Sequence, residues 1–226
     1  MAMHPIEIAL YNAISKHPNM PLVIAYSGGV DSQVLLHAIA FLIYNKAILN
    51  SVTVCHVNHG LSQNANTWQA FAQQTCGTLN LPLKVCQVNV KPKPQQSLEA
   101  LAREARYQAL QSIYTTPSLI LTGHHSDDQA ETFLLALKRG SGLKGLSAMA
   151  AESKKGNNLL LRPLLGITRS QILDYANKKQ LNWIDDESNS DTCFDRNFIR
   201  SDIMPLLITR WPSIVNTINR SSEHCQ

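Results

Sequence analysis

The sequence predicts an α/β fold, a mostly parallel twisted sheet with helices on both faces. Three observations carry this expectation. Short apolar runs of strand length alternate with amphipathic segments of helical length through the first two thirds of the chain. The connections between them are short, as repeated βα units require. A glycine turn, Ser27-Gly28-Gly29-Val30-Asp31-Ser32, stands between the first apolar run and the first amphipathic segment.

Taken in order, Leu22 to Tyr26 reads as a strand and Val34 to Tyr44 as a helix. The cycle repeats with Ser51 to Val57 as strand, Thr67 to Leu79 as helix, Leu83 to Val90 as strand and Leu98 to Tyr114 as helix. Ser118 to Thr122 then forms a strand and Asp127 to Lys138 a helix. Beyond Gly140 the pattern weakens. Leu159 to Leu165 reads as a strand interrupted by Pro163, and Thr168 with Gln171 forms a capping box opening a helix to about Leu181. Ile214 and Ile218 start one more helical period. Ligands in doubly wound sheets bind beyond the C-terminal ends of strands, so the loops that follow these strands are candidates for one shared cleft.

Composition excludes several classes. With 44% hydrophobic and 16% charged residues among 226, the chain is neither disordered nor collagenous. No apolar run reaches the eighteen or so residues that span a bilayer, and the first residues lack a leader pattern, which makes a cytoplasmic protein with no membrane partner the expectation. Cys55, Cys76, Cys86, Cys193 and Cys225 are scattered without a Cys-x-x-Cys pair and read as reduced thiols. The net charge of +4 is unevenly spread. From Lys138 to Lys179 nine Lys or Arg meet only Glu152 and Asp174, an excess that suggests a polyanionic partner or, more blandly, a solvated basic surface.

Two constellations carry chemistry. In Ser27 to Ser32 the glycines allow a sharp turn that brings backbone N–H groups to an anion, the following helix start adds its dipole, and the two hydroxyls add donors. The loop lacks the Gly-Lys-Ser/Thr ending of a Walker A motif. Asp31 would repel a bare phosphate, so it acts through Mg²⁺ or through hydrogen bonds in the loop. The second constellation is Gly123-His124-His125-Ser126-Asp127-Asp128-Gln129-Ala130-Glu131. Here Ser126 and Gln129 form a capping box that sets Asp127 and Asp128 in the first helical turn, with Glu131 on the same face. Such an acidic cluster suits Mg²⁺ or an ammonium group, or simply the helix terminus. The two histidines lack the spacing and cysteine partner of a zinc site.

Ser-Gly-Gly-Val-Asp-Ser resembles the loop of the N-type ATP pyrophosphatases, whose fold is adenine nucleotide α-hydrolase-like. Further segments resemble one family within it, the tRNA(Ile)-lysidine synthetases. They are His56 to Leu61, Glu99 to Tyr107, the run from Gly123 through Leu146, Arg162 to Leu165, Asp186 to Asn189, and Arg196-Asn197-x-x-Arg200. The resemblance implies a ligase that uses ATP and Mg²⁺ to join L-lysine to carbon 2 of the wobble cytidine in the CAU-anticodon isoleucine tRNA. The cytidine is first adenylated, pyrophosphate and AMP are released, and lysidine is the product. It implies Ser27, Gly28, Gly29, Val30, Asp31 and Ser32 around the phosphates and His56 and Asn58 beside adenine. Arg103 and Arg106 would neutralise phosphate charge, and Asp128 and Glu131 would serve the lysine or Mg²⁺ side, so that Asp31, Asp128, Glu131 and Arg103 are the candidate catalytic set. Asp31 and Asp128 are the candidate Mg²⁺ ligands. Lys138, Arg139 and Lys144 among glycines 140 to 145 suit an RNA backbone. The resemblance assigns residues 1–212 to the catalytic domain and 213–226 to the start of a helix leading to a domain absent from the chain; a homodimer is left open. Base thiolation, amide formation as in NAD synthetase, and a non-catalytic nucleotide-binding module are the rival readings.

Overall fold

A computed structural model describes residues 3–60, 62–88, 98–187 and 191–226, apart from the side chain of residue 99. The predicted positions Leu61, residues 89 and 90 of the third strand, the Glu99 side chain, and Ser188 and Asn189 lie outside the described residues. The expected fold class is the observed one. Six strands form a sheet in the order β3-β2-β1-β4-β6-β5, parallel from β3 to β6 and closed by an antiparallel edge.

The first half follows the predicted cycle. Strands β1 (Leu22–Tyr26), β2 (Val52–Asn58) and β3 (Leu83–Gln87) alternate with helices α2 (Val30–Tyr44) and α3 (Ala65–Thr78). Leu22, Val23 and Ile24 are wholly buried, as expected for a central strand covered on both faces. Helix α4 (Leu98–Gln111) leads to β4 (Leu119–Leu121), and helix α5 (Ser126–Lys138) follows. Because β4 returns to pair with β1, the strand order reverses between them, and the loops after these two strands flank the switch point.

Other parts differ from expectation. Helix α1 (Pro5–Ile14) has no counterpart in the sequence reading; it is opened by a His4–Glu7 capping box with Pro5 in its first turn. The expected strand from Leu159 to Leu165 is shorter. Strand β6 (Asn158–Leu161) ends before Arg162-Pro163, since proline cannot supply a ladder N–H. It pairs with β5 (Glu152–Lys155), a polar edge strand without an apolar face to betray it. The short helix α6 (Leu143–Leu146) precedes this hairpin, and α7 (Arg169–Lys178) follows with the Thr168–Gln171 capping box in place.

The C-terminal part consists of α8 (Asp195–Phe198), a π-helical turn at Ile199–Ile203, α9 (Met204–Arg210) and α10 (Ile214–His224). Ile199, Met204, Val215 and Ile218 bury themselves with Ala130 of α5, so residues beyond 213 pack onto the same body as the sheet.

Candidate active site

The loop after β1 closes on its own hydroxyl. Ser32 Oγ accepts from Ser27 N–H at 3.3 Å, Gly28 N–H at 3.1 Å and the Ser27 hydroxyl at 3.2 Å, and donates to Gly29 carbonyl at 2.9 Å. Ser32 is buried, so these bonds are shielded from water and hold the turn in one shape. Gly28 has φ +93°, a conformation side chains rarely adopt, and a Cβ there would come within 3.2 Å of Ile184 Cδ1. Ile184 N–H in turn donates to Gly28 carbonyl at 3.0 Å, strapping the 181–187 segment over the loop. Val30 is buried beneath it, and α2 starts at that residue rather than at Val34 because the loop itself supplies the first turn.

The loop after β4 meets the first loop directly. A Cβ on Gly123 would lie 3.0 Å from the backbone carbonyl of Asp31, so any side chain there would push the two loops apart by a few tenths of an ångström. Helix α5 starts one residue earlier than its sequence implies. Its N-cap is His125, whose Nδ1 accepts from Asp127 N–H at 3.3 Å while Asp128 Oδ2 accepts from His125 N–H at 3.0 Å. The expected Ser126–Gln129 box is therefore replaced by a His125–Asp128 box. Ser126 stands at the first helical position, and Gln129 instead bonds the Met149 backbone at 2.8 and 2.9 Å.

His125 is the hub between the two loops. Its Nε2 faces Asp31 Oδ1 at 3.6 Å and Asp128 Oδ2 at 3.4 Å, and Nδ1 has Asp127 Oδ2 at 3.5 Å. Burial pushes the imidazole down, but the hydrogen bond to Asp127 and the charges of Asp128 and Asp31 outweigh it and raise the pKa. Neutral His125 keeps the cap through Nδ1; the imidazolium gives up that acceptor and turns to the Asp127 carboxylate. Asp31 is raised by burial, against the pull of His125, and its Oδ1 is a buried atom without a hydrogen bond, as is His125 Nε2. His124 is different: burial drives it down to about 3, and it stays neutral with Nδ1 2.8 Å from the Thr122 hydroxyl.

Asp127, Asp128 and Glu131 do not share one face. Asp127 turns to α7, accepting from Arg169 N–H at 2.9 Å. Asp128 and Glu131, both buried, face two arginines that the sequence reading quotes but gives no role. Arg200 donates to Glu131 Oε1 at 2.7 Å and Oε2 at 2.9 Å and to Asp128 Oδ1 at 3.0 Å. Arg196 donates to Glu131 Oε2 at 2.9 Å and to Asp128 Oδ1 at 3.3 Å. Burial pushes the Asp128 carboxyl up, but His125 and Arg196 hold it below the usual range. The signal for these partners was the four-residue spacing of Arg196 and Arg200, which matches one helical face; their distance along the chain hid which acids they meet.

The remaining predicted residues lie around this centre. His56 Nδ1 sits 3.2 Å from Tyr26 carbonyl, and Asn58 binds Gln69 and caps Gly60 N–H at 2.9 Å, so the end of β2 is tied to β1 and α3. Arg106 adds its charge beside His59, whereas Arg103 lies along α4 against Tyr107, with a 3.4 Å bond to its hydroxyl. The two arginines thus serve different neighbourhoods. Lys138 is engaged by Asp195 at 2.6 Å on the surface.

A family described as the PP-loop domain matches residues 3–207. Curated proteins named tRNA(Ile)-lysidine synthase are similar. The one from Serratia proteamaculans is 50% identical over 90% of this chain and 46% of its own length, and the one from Coxiella burnetii is 44% identical over 92% and 46%. A Haemophilus influenzae relative is 46% identical over 94% and 49%. The chain spans about half the length of these relatives. Among solved structures, the U34-tRNA thiolase NcsA from Methanococcus maripaludis matches with a TM-score of 0.74 at 20% identity, covering 97% of this chain and 77% of that one, a likeness of fold alone. With the family match running through every strand of the sheet and through both loops at its switch point, the chain belongs to the PP-loop domain family.

Proposed function

We propose that this chain ligates L-lysine to carbon 2 of the wobble cytidine of a CAU-anticodon isoleucine tRNA at the expense of ATP. The observation that carries the reading is the direct meeting of the glycine loop with an acid–arginine cluster across His125, in a chain 44–50% identical to proteins named tRNA(Ile)-lysidine synthase. The thiolase likeness rests on fold and brings no activity with it.

In this reading the cytidine O2 attacks the α-phosphorus of ATP and the bond to pyrophosphate breaks. The lysine ε-amine, having lost its proton, then attacks carbon 2, and the bond to AMP breaks. The preformed turn from Ser27 to Ser32 receives the phosphates, and Arg106 adds charge beside His59, just beyond the end of β2. Its shape is set before reaction, which is what makes fixed donors effective against developing charge.

Mg²⁺ fits Asp31, whose buried Oδ1 makes no hydrogen bond and faces the His125 imidazole at 3.6 Å; bound with ATP, it would draw charge from the phosphates. Asp128 fits it less well, because both its oxygens already accept hydrogen bonds. Four carboxyl groups, Asp31, Asp127, Asp128 and Glu131, stand around the guanidinia of Arg196 and Arg200 and the imidazole of His125, so even with His125 protonated the acids outnumber the cations by one. Among the described residues, Glu131 Oε1 accepts one bond and retains a lone pair for an ammonium, whereas Asp128 Oδ2 accepts one and also faces His125 Nε2 at 3.4 Å.

Incubating the chain with ATP and isoleucine tRNA should release at most one pyrophosphate per tRNA, and adding lysine should release AMP and raise the tRNA mass by one lysyl residue. Pyrophosphate release in the complete mixture without the lysyl mass increase would overturn the ligation. Asp128→Asn and Glu131→Gln should raise the lysine KM more than the ATP KM; equal effects on both would assign these acids to Mg²⁺ instead.

A further inference from the structure

A hollow of about 730 Å³ lies between α4 and the β5–β6 hairpin, with Arg103 in its lining. Tyr107 forms its floor and is buried. Arg103 lies 5.2 Å from the Tyr107 ring centre and Lys155 of the hairpin 5.0 Å, so two cations share one aromatic ring. A third cation, Arg162, comes from the end of β6 and is 9% exposed. Its Nη1 donates to Ala150 carbonyl at 2.7 Å and to Ser153 Oγ at 3.2 Å, but its Nε is buried without a hydrogen-bond partner. The one acid among the described lining residues is Glu104, which accepts from Gln108 at 3.3 Å.

A buried guanidinium with an unmet N–H is costly unless an anion supplies the missing acceptor. Arg103 and Arg162 both bear on His124 at the end of β4, so the hollow adjoins the candidate active site. The volume of the space, its three cations and their nearness to His124 suit a phosphate group attached to something larger.

We propose that this hollow binds a phosphodiester of the RNA substrate, with Arg162, Lys155 and Arg103 as its cationic wall. The inference rests on the function proposed above. It names a contact for the RNA chain beside the base being modified, on the hairpin and away from the surface around Lys138. The same phosphate chemistry would also accept pyrophosphate leaving the nucleotide, and the two sources separate experimentally.

The test measures binding of an isoleucine tRNA transcript at several salt concentrations, and of inorganic pyrophosphate by calorimetry, for the wild type, Lys155→Ala, Lys155→Arg and Arg162→Gln. Lys155 is exposed, so its replacement leaves folding intact; a thermal unfolding midpoint monitors Arg162→Gln. Lys155→Ala should weaken tRNA binding several-fold and reduce the logarithmic salt slope by roughly 0.7 to 0.9, with Lys155→Arg restoring both and pyrophosphate affinity unchanged. A fall in pyrophosphate affinity with an unaltered tRNA salt slope would overturn the RNA assignment. An unaltered slope and affinity in both Lys155→Ala and folded Arg162→Gln would overturn the site altogether. If the wild type itself binds no tRNA, this proposal falls together with the function it rests on, an outcome distinct from failure in the variants alone.

Discussion

The loops after β1 and β4 meet at one point but are held by different forces. The first is a turn of mostly neutral groups, closed by backbone N–H bonds to one buried hydroxyl, and its shape depends on Gly28. The second is an assembly of charges, in which His125, Asp127, Asp128 and Glu131 are balanced by Arg196, Arg200 and a backbone N–H of α7. A turn built on neutral hydrogen bonds should respond to the loss of single atoms, whereas a charged cluster should also respond to pH and, at its exposed edge, to salt.

The largest effect is expected at the first loop. Ser32→Ala removes the acceptor for two backbone N–H groups, and Asp31→Ala removes the side chain facing His125; each should lower ATP-dependent tRNA modification by at least about 100-fold, equivalent to ~2.7 kcal/mol of transition-state stabilisation. Single-turnover assays on folded variants check this. Near wild-type turnover in both would take the loop out of the mechanism.

At the second loop the expected loss is first one of stability. Glu131→Gln leaves two guanidinia short of a charge partner at a site 2% exposed. Breaking a fully buried pair costs ~3–5 kcal/mol, and because both arginines are about 30% exposed we expect about 2–3 kcal/mol here. Urea unfolding of the variant measures it, and a loss below about 0.5 kcal/mol would show that water already solvates the cluster.

The same region should carry a pH signature. Burial pushes Asp127 up, but the His125 and Arg169 bonds prevail and lower it from 3.8 to about 2. A lowered carboxylate pKa stabilises the fold above its unfolded value of 3.8 and loses that contribution as pH falls towards 2, here about 2 kcal/mol. His125 acts in the opposite sense. Its raised pKa gives stability that is complete below 6.5 and lost as pH climbs through the folded-state value. Asp127→Asn keeps an acceptor for Arg169 N–H but cannot ionise, so its stability deficit should be near 2 kcal/mol at pH 6 and vanish near pH 2. A deficit independent of pH would assign the role of Asp127 to hydrogen bonding alone.

The sequence made the first region more legible than the second. Apolar strands such as Leu22–Tyr26 are visible because a parallel sheet buries both faces, and a strand–glycine–helix junction announces its loop locally. Asp31, Asp128 and Glu131 stand out as candidates in the sequence because they follow such junctions and fall within segments that carry the family resemblance. The cap of α5 was misplaced by one residue because histidine is an uncommon N-cap and Ser126 follows it at once. Arg196 and Arg200 lie 65 to 72 residues from their acidic partners, beyond any local spacing rule. Strand β5 reads Glu-Ser-Lys-Lys, and only its pairing with β6 reveals it.

A third ion pair extends the comparison to the surface and carries the smallest expected effect. Lys138 and Asp195 approach to 2.6 Å, closer than either arginine comes to its acids, yet each side chain is 59% exposed. Distance alone would rank this pair above the buried cluster; solvation ranks it below, since water screens the attraction and holding two mobile chains costs entropy. Lys138→Ala should therefore change unfolding free energy by no more than ~0.5 kcal/mol, with the difference shrinking as salt rises. If the surface around α6 also meets RNA, the triple replacement of Lys138, Arg139 and Lys144 by Ala should reduce the logarithmic salt slope of tRNA binding by up to roughly 0.7 to 0.9 per lost phosphate contact, while ATP affinity stays constant. Because Asp195 already holds Lys138, we expect that residue to contribute less than Arg139 or Lys144, which the single variants would resolve. A salt-independent loss of more than about 1 kcal/mol in Lys138→Ala would place this pair with the buried cluster and undo the distinction between them.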